Sequence, residues 1–186
     1  MDKQVRLDIT EWPILGEQHA KRFIAFLFDV TCTPCRAVHG LVSQAAAADP
    51  ELGVLLLPLP QHPACNPAVK EIAAGHGYAC QYARLGLAVW HSRPDRYLEF
   101  DRFLLDGPEP PPIGLAMRRA VELCGKALDP HRADEETDRA FRKSMAVYGS
   151  LRIKKVPTLL FAHAQVAGEL KSMAELQSVF ARELYR

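Results

Sequence analysis

The stretch that most restricts what this chain can fold into is Phe23-Ile24-Ala25-Phe26-Leu27-Phe28, followed by Asp29-Val30-Thr31-Cys32-Thr33-Pro34-Cys35. An apolar, aromatic-rich run of strand character stops, and two cysteines follow with two residues between them. Residues 36–48 hold no proline and are rich in alanine, so the cysteines are expected to open a helix. At such a junction the helix amides and the macrodipole favour an anion, and a first-turn cysteine becomes thiolate more readily than a free one. Thiolate is the nucleophile of disulfide exchange, and a thiol one turn away can resolve the mixed disulfide. Pro34 suits a first-turn position, where its missing N–H costs nothing. The pattern is the sequence form of a redox-active dithiol.

The flanking segments extend it. Val5-Arg6-Leu7-Asp8-Ile9 alternates as a half-buried edge strand does, and residues 12–16 read as a turn-rich connection. Residues 22–28 are apolar almost throughout, which suits a central strand buried on both faces. The helix continues through Val38, Leu41, Val42 and Ala45 until Asp49-Pro50 ends it. Val54-Leu55-Leu56-Leu57, bounded by Pro58, is a second short strand, and strand, helix, strand implies a right-handed crossover with parallel neighbours.

Residues 63–151 then read as helix after helix. One covers 67–72 and is closed by Gly75-His76-Gly77; the next turns Tyr82, Leu85, Val89 and Trp90 inward; others cover 94–105 and 113–128. The proline-rich residues 106–112 must form a loop. A last helix runs through Phe141, Met145 and Tyr148, with Gly149 placed to cap it. Strand signals return in Val156-Pro157-Thr158-Leu159-Leu160-Phe161, with proline at the strand mouth, and again at Val166. Ser172 to Glu175 forms a capping box for a final helix that turns Leu176, Val179, Phe180 and Leu184 inward. The order β-β-α-β, helices, β-β-α divides the chain into residues 1–62, 63–151 and 152–186.

Composition removes several classes. A formal net charge of +1 over 186 residues, without a basic cluster, gives no electrostatic case for nucleic acid. No apolar run approaches the roughly 18 residues a membrane span needs. Residues 1–4 hold no apolar signal-peptide region, which leaves a cytosolic protein or an exported one whose targeting segment is absent.

Five cysteines are too few for a disulfide-scaffold miniprotein. Cys65 and Cys80 form a candidate structural disulfide. The alternatives are two reduced thiols, or zinc held with His62 and His76, although these segments lack regular finger spacing and no metal site is assigned. Cys124, among Val121, Leu123 and Leu128, reads as a small core side chain. His39, one turn past Cys35, reads first as a helix-surface residue and second as an electrostatic neighbour of the dithiol. Asp29 is a turn residue or a modest influence on the thiols.

On Cys32-Thr33-Pro34-Cys35 after one apolar strand, and Val156-Pro157-Thr158 before another, the chain resembles the thioredoxin fold. It is most similar to disulfide oxidoreductases of the DsbA type, which carry a helical insertion. The resemblance implies an α/β protein, a central mixed sheet flanked by helices with an all-helical insertion. It also implies a cis Pro157 beside the dithiol and a substrate contact through the Val156 backbone, with Thr33 and Pro34 lining the same site. Residues 29–32, Pro63-Ala64-Cys65-Asn66 and Cys80 also resemble thioredoxin-like domains found beside vitamin K epoxide reductase-type membrane proteins. Two positions depart from these patterns. Phe26 stands where thioredoxins commonly bury an acid, and Thr33-Pro34 where DsbA-type enzymes commonly have a histidine.

The expectation is therefore a protein thiol–disulfide oxidoreductase, with Cys32 as nucleophile, Cys35 as resolving thiol and no organic cofactor. Its direction stays open. Expected partners are cysteine-containing protein substrates and a redox partner protein, a membrane-bound one among the candidates, without nucleic acid or membrane insertion by this chain. A second disulfide would place it in a periplasm or another extracytoplasmic space, with a cytoplasmic location as the alternative. The competing class is a non-catalytic thioredoxin-like binding module with a fixed disulfide or zinc site. A glutathione-using or peroxidatic enzyme is a third reading.

Overall fold

The computed structural model describes residues 5–125, 128 and 135–185. In chain order the elements are β1 (Ile14–Gly16), β2 (Arg22–Phe28), α1 (Thr33–Ala48), β3 (Leu52–Pro58), α2 (Ala79–Ser92), α3 (Tyr97–Leu105), α4 (Ile113–Cys124), α5 (Glu135–Ser150), β4 (Thr158–Leu160), β5 (Gln165–Ala167) and α6 (Met173–Glu183). The strands form one mixed sheet in the order β1-β3-β2-β4-β5. β2 pairs in parallel with β3 and antiparallel with β4, and β1 and β5 are antiparallel edges.

β2 sits at the centre because both of its faces are apolar. Ile24, Phe26 and Phe28 pack with Val38 and Val42 of α1, Phe180 of α6 and Phe100 of α3. Ala25 and Leu27 face the opposite layer, with Trp12, Leu55, Leu57 and Val147 of α5. Two covered faces explain the unbroken apolar run at Phe23-Ile24-Ala25-Phe26-Leu27-Phe28. The expected parallel β2–α1–β3 unit is present, and α1 ends at Asp49, whose N–H reaches Ala45 O at 3.0 Å.

Three expectations are corrected. Residues 5–8 form no strand, and residues 9–11 make a 3₁₀ turn capped by the Asp8 carboxylate. The edge place beside β3 is taken instead by Ile14–Gly16, expected as part of a connection. Buried Trp12 and the Leu56 N–H to Pro13 O bond of 2.8 Å fix that register, so Val5, Leu7 and Ile9 pack as a cover outside the sheet.

Residues 67–72 are not helical, although every regular element described between β3 and β4 is a helix, as expected. The segment presents no buried side chain to a core, and the Asn66 side chain caps a turn through the Ala68 N–H. Without a packed face a short helix is not stable in water. Gly149 lies inside α5 rather than beyond it, and the left-handed residue after the helix is Arg152, at φ 51°.

Elsewhere the expected helices are present. α2 buries Tyr82, Leu85 and Val89, while a 3₁₀ turn at Pro94–Arg96 leads into α3. α4 ends at Cys124, four residues short of the expected helix over 113–128, and Leu128 is buried beyond it. Ser172 Oγ caps α6 by accepting from Glu175 N–H at 3.2 Å. The reciprocal arm of the box is displaced by one residue, because the Glu175 carboxylate takes the Lys171 N–H.

Candidate active site

The carboxyl end of β2 delivers the chain into Asp29-Val30-Thr31 and then into α1, with Cys32 as its N-cap. Cys32 has extended backbone, and its Sγ accepts from the Cys35 N–H at 3.4 Å. A sulfur so placed receives a helix amide and the positive end of the dipole. Thr33 and Pro34 occupy the first two helical positions and are exposed. Cys32 is 8% exposed and Cys35 fully buried, both as free thiols.

Their environments push the two thiols apart. Cys32 is held below the ordinary thiol range, first by its side-chain hydrogen bond with Cys35 and then, against the cost of burial, by the Cys35 amide and the His76 charge. Burial drives Cys35 far above that range, with the neighbouring Cys32 sulfur adding to it. One sulfur is poised as thiolate and the other as its proton-bearing donor, the division of labour a dithiol exchange needs.

The strand beside β2 on the side away from β3 comes from the far end of the sequence. Leu27 pairs with Thr158 in the last rung of the antiparallel β2–β4 ladder, and Pro157 and Val156 directly precede it. The Val156–Pro157 bond is cis. Val156 packs, half-buried, against the core cluster that holds Cys32 and Cys35. The Pro157 carbonyl accepts from Gly168 N–H at 2.8 Å. Gly168 has a φ of 113°, a conformation a side chain strains, and its β-position would meet Lys155.

Three polar side chains around the motif have roles that the sequence alone does not assign. Asp29 is the hub: its Oδ1 accepts from Thr31 N–H at 2.7 Å and from Thr31 Oγ1 at 2.6 Å. Its Oδ2 accepts from Gln61 N–H at 2.6 Å and meets His76 Nδ1 at 3.1 Å. An Asp two residues before a Thr at a strand end is the signal of such a turn.

Arg36 is 5% exposed and spends its donors on the backbone. Its guanidinium donates to the carbonyls of Val30, Leu104, Gly107 and Glu109 at 2.8–3.0 Å. It thereby ties the proline-rich 106–112 loop to the first turn of α1. A charged residue at an inward position of an amphipathic helix was the available sign. A cavity of about 320 Å³ lies along this seam, between Thr33, Arg36, Ala37, Asp106 and Pro108.

His39 is not a surface residue: it is buried, 2.8 Å from the carboxylate of Asp101, and its ring lies beside Phe26 and Phe28. Phe26, at the place considered for an acid, is fully buried and stacked on Phe28.

Cys65 and Cys80 are joined as a disulfide, which removes both sulfurs as metal ligands. Among the described residues no cluster of three metal-ligating side chains forms. Cys124 is buried in the core, as expected. No described helix is long and apolar enough to cross a membrane.

Sheet order, inserted helices and the cysteine-bearing helix start define an α/β protein of thioredoxin-like fold, in the DsbA-like arrangement with helices between the two halves of the sheet. Solved structures that share it include a periplasmic thioredoxin-like protein from Salmonella enterica serovar Typhimurium. That comparison has a TM-score of 0.75 at 18% identity and covers 99% of this chain and 100% of the other. Proteus mirabilis ScsC gives a TM-score of 0.75 at 15% identity, covering 96% of this chain and 74% of that one. A thioredoxin-like oxidoreductase from Silicibacter pomeroyi gives 0.71 at 21% identity, covering 92% and 91%. No protein-family model matches the sequence, and no curated protein matches it.

Proposed function

We propose that this chain is a thiol–disulfide oxidoreductase acting on protein cysteines through Cys32 and Cys35. The observation that carries the reading is the asymmetry of the pair: Cys32 caps α1 and is held low, while Cys35 is fully buried and held high. A structural disulfide has no use for that difference. Fold relatives whose names describe an oxidoreductase and a periplasmic thioredoxin-like protein support the same reading.

The reaction balances without an organic cofactor. A substrate thiolate attacks Cys32 Sγ of the oxidised protein, forming a mixed disulfide and releasing Cys35 as a thiolate, which takes up a proton. A second substrate thiolate then attacks the substrate sulfur of that mixed disulfide and expels Cys32 as the stabilised thiolate. The substrate loses two electrons and two protons, and the protein dithiol gains the electrons. A partner disulfide must restore Cys32–Cys35 for turnover.

Stabilising the Cys32 thiolate favours the reduced protein, which makes the couple more oxidising than it would be without that stabilisation. Val156, Thr33 and Pro34 would contact the substrate peptide, with Pro157 shaping the adjoining wall. The Cys65–Cys80 bond and the periplasmic relative favour an extracytoplasmic location.

Oxidation of reduced ribonuclease and reduction of insulin test the activity. Wild type is expected to catalyse at least the first, and Cys32→Ser neither; equal rates in both proteins would end the proposal.

A further inference from the structure

The loop between Cys65 and Cys80 is an exposed run of turns in which no residue from 67 to 78 is buried. Ile72 and Tyr78 are 53% and 54% exposed, so no apolar anchor seats it. Its ends are closed by the Cys65–Cys80 disulfide, and Asn66, fully buried, fixes its start by donating to Pro60 O. From its far arm His76 reaches back to the strand–helix junction. Its Nδ1 lies 2.7 Å from Thr31 Oγ1 and 3.1 Å from Asp29 Oδ2.

The hydrogens in this cluster can be placed. Thr31 Oγ1 has one hydrogen, given to Asp29 Oδ1, so the short contact to His76 requires Nδ1 to be the donor. Protonation then adds a hydrogen only at Nε2 and leaves the cluster intact. Cys32 is the next residue, and its N–H is bonded to Asp29 O at 3.1 Å. The charged and titratable groups facing the imidazole are the Asp29 carboxylate and Cys32. The buried Asp29 carboxylate opposes a thiolate at Cys32, whereas a protonated His76 offsets it.

We propose that His76 is a positioning residue for the dithiol, supplying positive charge that offsets Asp29 and adds to the Cys35 hydrogen bonds in favouring thiolate at Cys32, and that the Cys65–Cys80 disulfide delivers it. The second disulfide then belongs to the electrostatics of the first, although it exchanges no electrons with it. This rests on the reading of Cys32 and Cys35 as a reactive pair. Supporting charge logic runs both ways: the hydrogen bond with Asp29 raises His76, with the Cys32 charge adding to it.

The test compares wild type, His76→Gln and Cys65→Ala/Cys80→Ala. His76→Gln is more than a deletion, since a glutamine amide can still donate to Asp29 without carrying a charge. In each protein the thiolate of Cys32 is titrated by ultraviolet absorbance and by the pH dependence of its alkylation. The Cys32–Cys35 pair is also equilibrated with glutathione. Both variants are expected to raise the Cys32 midpoint and to shift the equilibrium about tenfold toward the protein disulfide, about 30 mV in a two-electron couple. The inflection that His76 adds to the wild-type alkylation profile should be absent in His76→Gln.

An unchanged Cys32 titration in His76→Gln overturns the charge role. A shift in His76→Gln with none in the disulfide variant overturns the delivery role. If the disulfide variant does not fold, His76→Gln alone decides the charge role, and hydrogen exchange of residues 66–79 in wild type, before and after selective reduction of Cys65–Cys80, decides delivery. Protection retained after reduction would overturn it. Failure of wild type to oxidise ribonuclease or reduce insulin would instead sink the oxidoreductase reading, while leaving these titrations readable.

Discussion

His39 Nε2 lies 2.8 Å from Asp101 Oδ2, and the side chains are 3% and 2% exposed, so α1 and α3 are joined inside the core by a side-chain pair in addition to the Arg36–Leu104 bond. Tyr97 Oη reaches the other carboxylate oxygen at 3.5 Å. Removing one partner of a buried pair strands the other, at a cost of about 3–5 kcal/mol, whereas replacing both with apolar residues is often close to neutral. Asp101→Ala is therefore expected to destabilise by that amount and His39→Leu/Asp101→Leu by clearly less. Urea unfolding reads the difference; a double variant that loses as much as Asp101→Ala or more would mean that stranding a partner carries no special penalty.

Arg36 serves four backbone carbonyls at once, and a carbonyl left buried without a donor costs about 1–3 kcal/mol. Arg36→Met keeps much of the stem but none of the donors. It is expected to cost roughly 3 kcal/mol or more and to open the 106–112 loop to proteolysis, which concentrates at released loop tips. Limited proteolysis followed by mass spectrometry locates the cut. Cleavage elsewhere first would contradict the role assigned to the guanidinium.

The reduced protein has two opposite pH responses at one corner. Cys32 is depressed from 9.0, so its contribution to stability is present above that value and lost as pH falls through the folded value. His76 is raised from 6.5, so its contribution is present below 6.5 and lost as pH rises through its folded value. Alkylation of native reduced protein is expected to label Cys32 at lower pH than an ordinary thiol and to spare Cys35, whose burial holds it as a thiol. Peptide mapping after iodoacetamide distinguishes them, and equal labelling would remove the asymmetry on which the mechanism depends.

Cys65 and Cys80 are separated by 15 residues along the chain. Closing a loop of about that length contributes about 3 kcal/mol in the chain-entropy account. Cys65→Ala/Cys80→Ala is expected to lower the unfolding free energy by that order, measured with Cys32 and Cys35 kept reduced in both proteins. No loss at all would show that the open loop is already restrained in the unfolded chain.

What can be read from the sequence is local and continuous. The apolar run Phe23-Ile24-Ala25-Phe26-Leu27-Phe28, the cysteines, α1 and Val156-Pro157-Thr158 each declare themselves within a few residues, and together they imply the fold. Distant partners account for the differences. Val5, Leu7 and Ile9 alternate like a strand, but Ile14–Gly16 already fills the edge of β3. Residues 67–72 have helical composition but no surface to pack on. His76 reads as part of a Gly-His-Gly stop because its meaning lies at Asp29, and Arg36 finds three of its four acceptors on residues 104–109. Side chains that act across tens of residues leave at most a weak mark: a histidine between two bonded cysteines, or an arginine on the inner face of a helix.

The place of β4 in the sheet has a consequence for how the protein is made. β2 acquires its parallel neighbour β3 within the first third of the chain, but its other neighbour begins only at Thr158. At about 5–20 residues per second, synthesis leaves that strand edge open for on the order of 10 s. During this interval Cys32 and Cys35 have emerged, while the Val156–Pro157 segment proposed to wall their site has not. An unpaired central edge is a template for foreign strands, and under the proposed chemistry a thiolate exposed beside it is open to exchange with foreign disulfides. The newborn chain therefore meets its own chemistry before it has the surface that controls it.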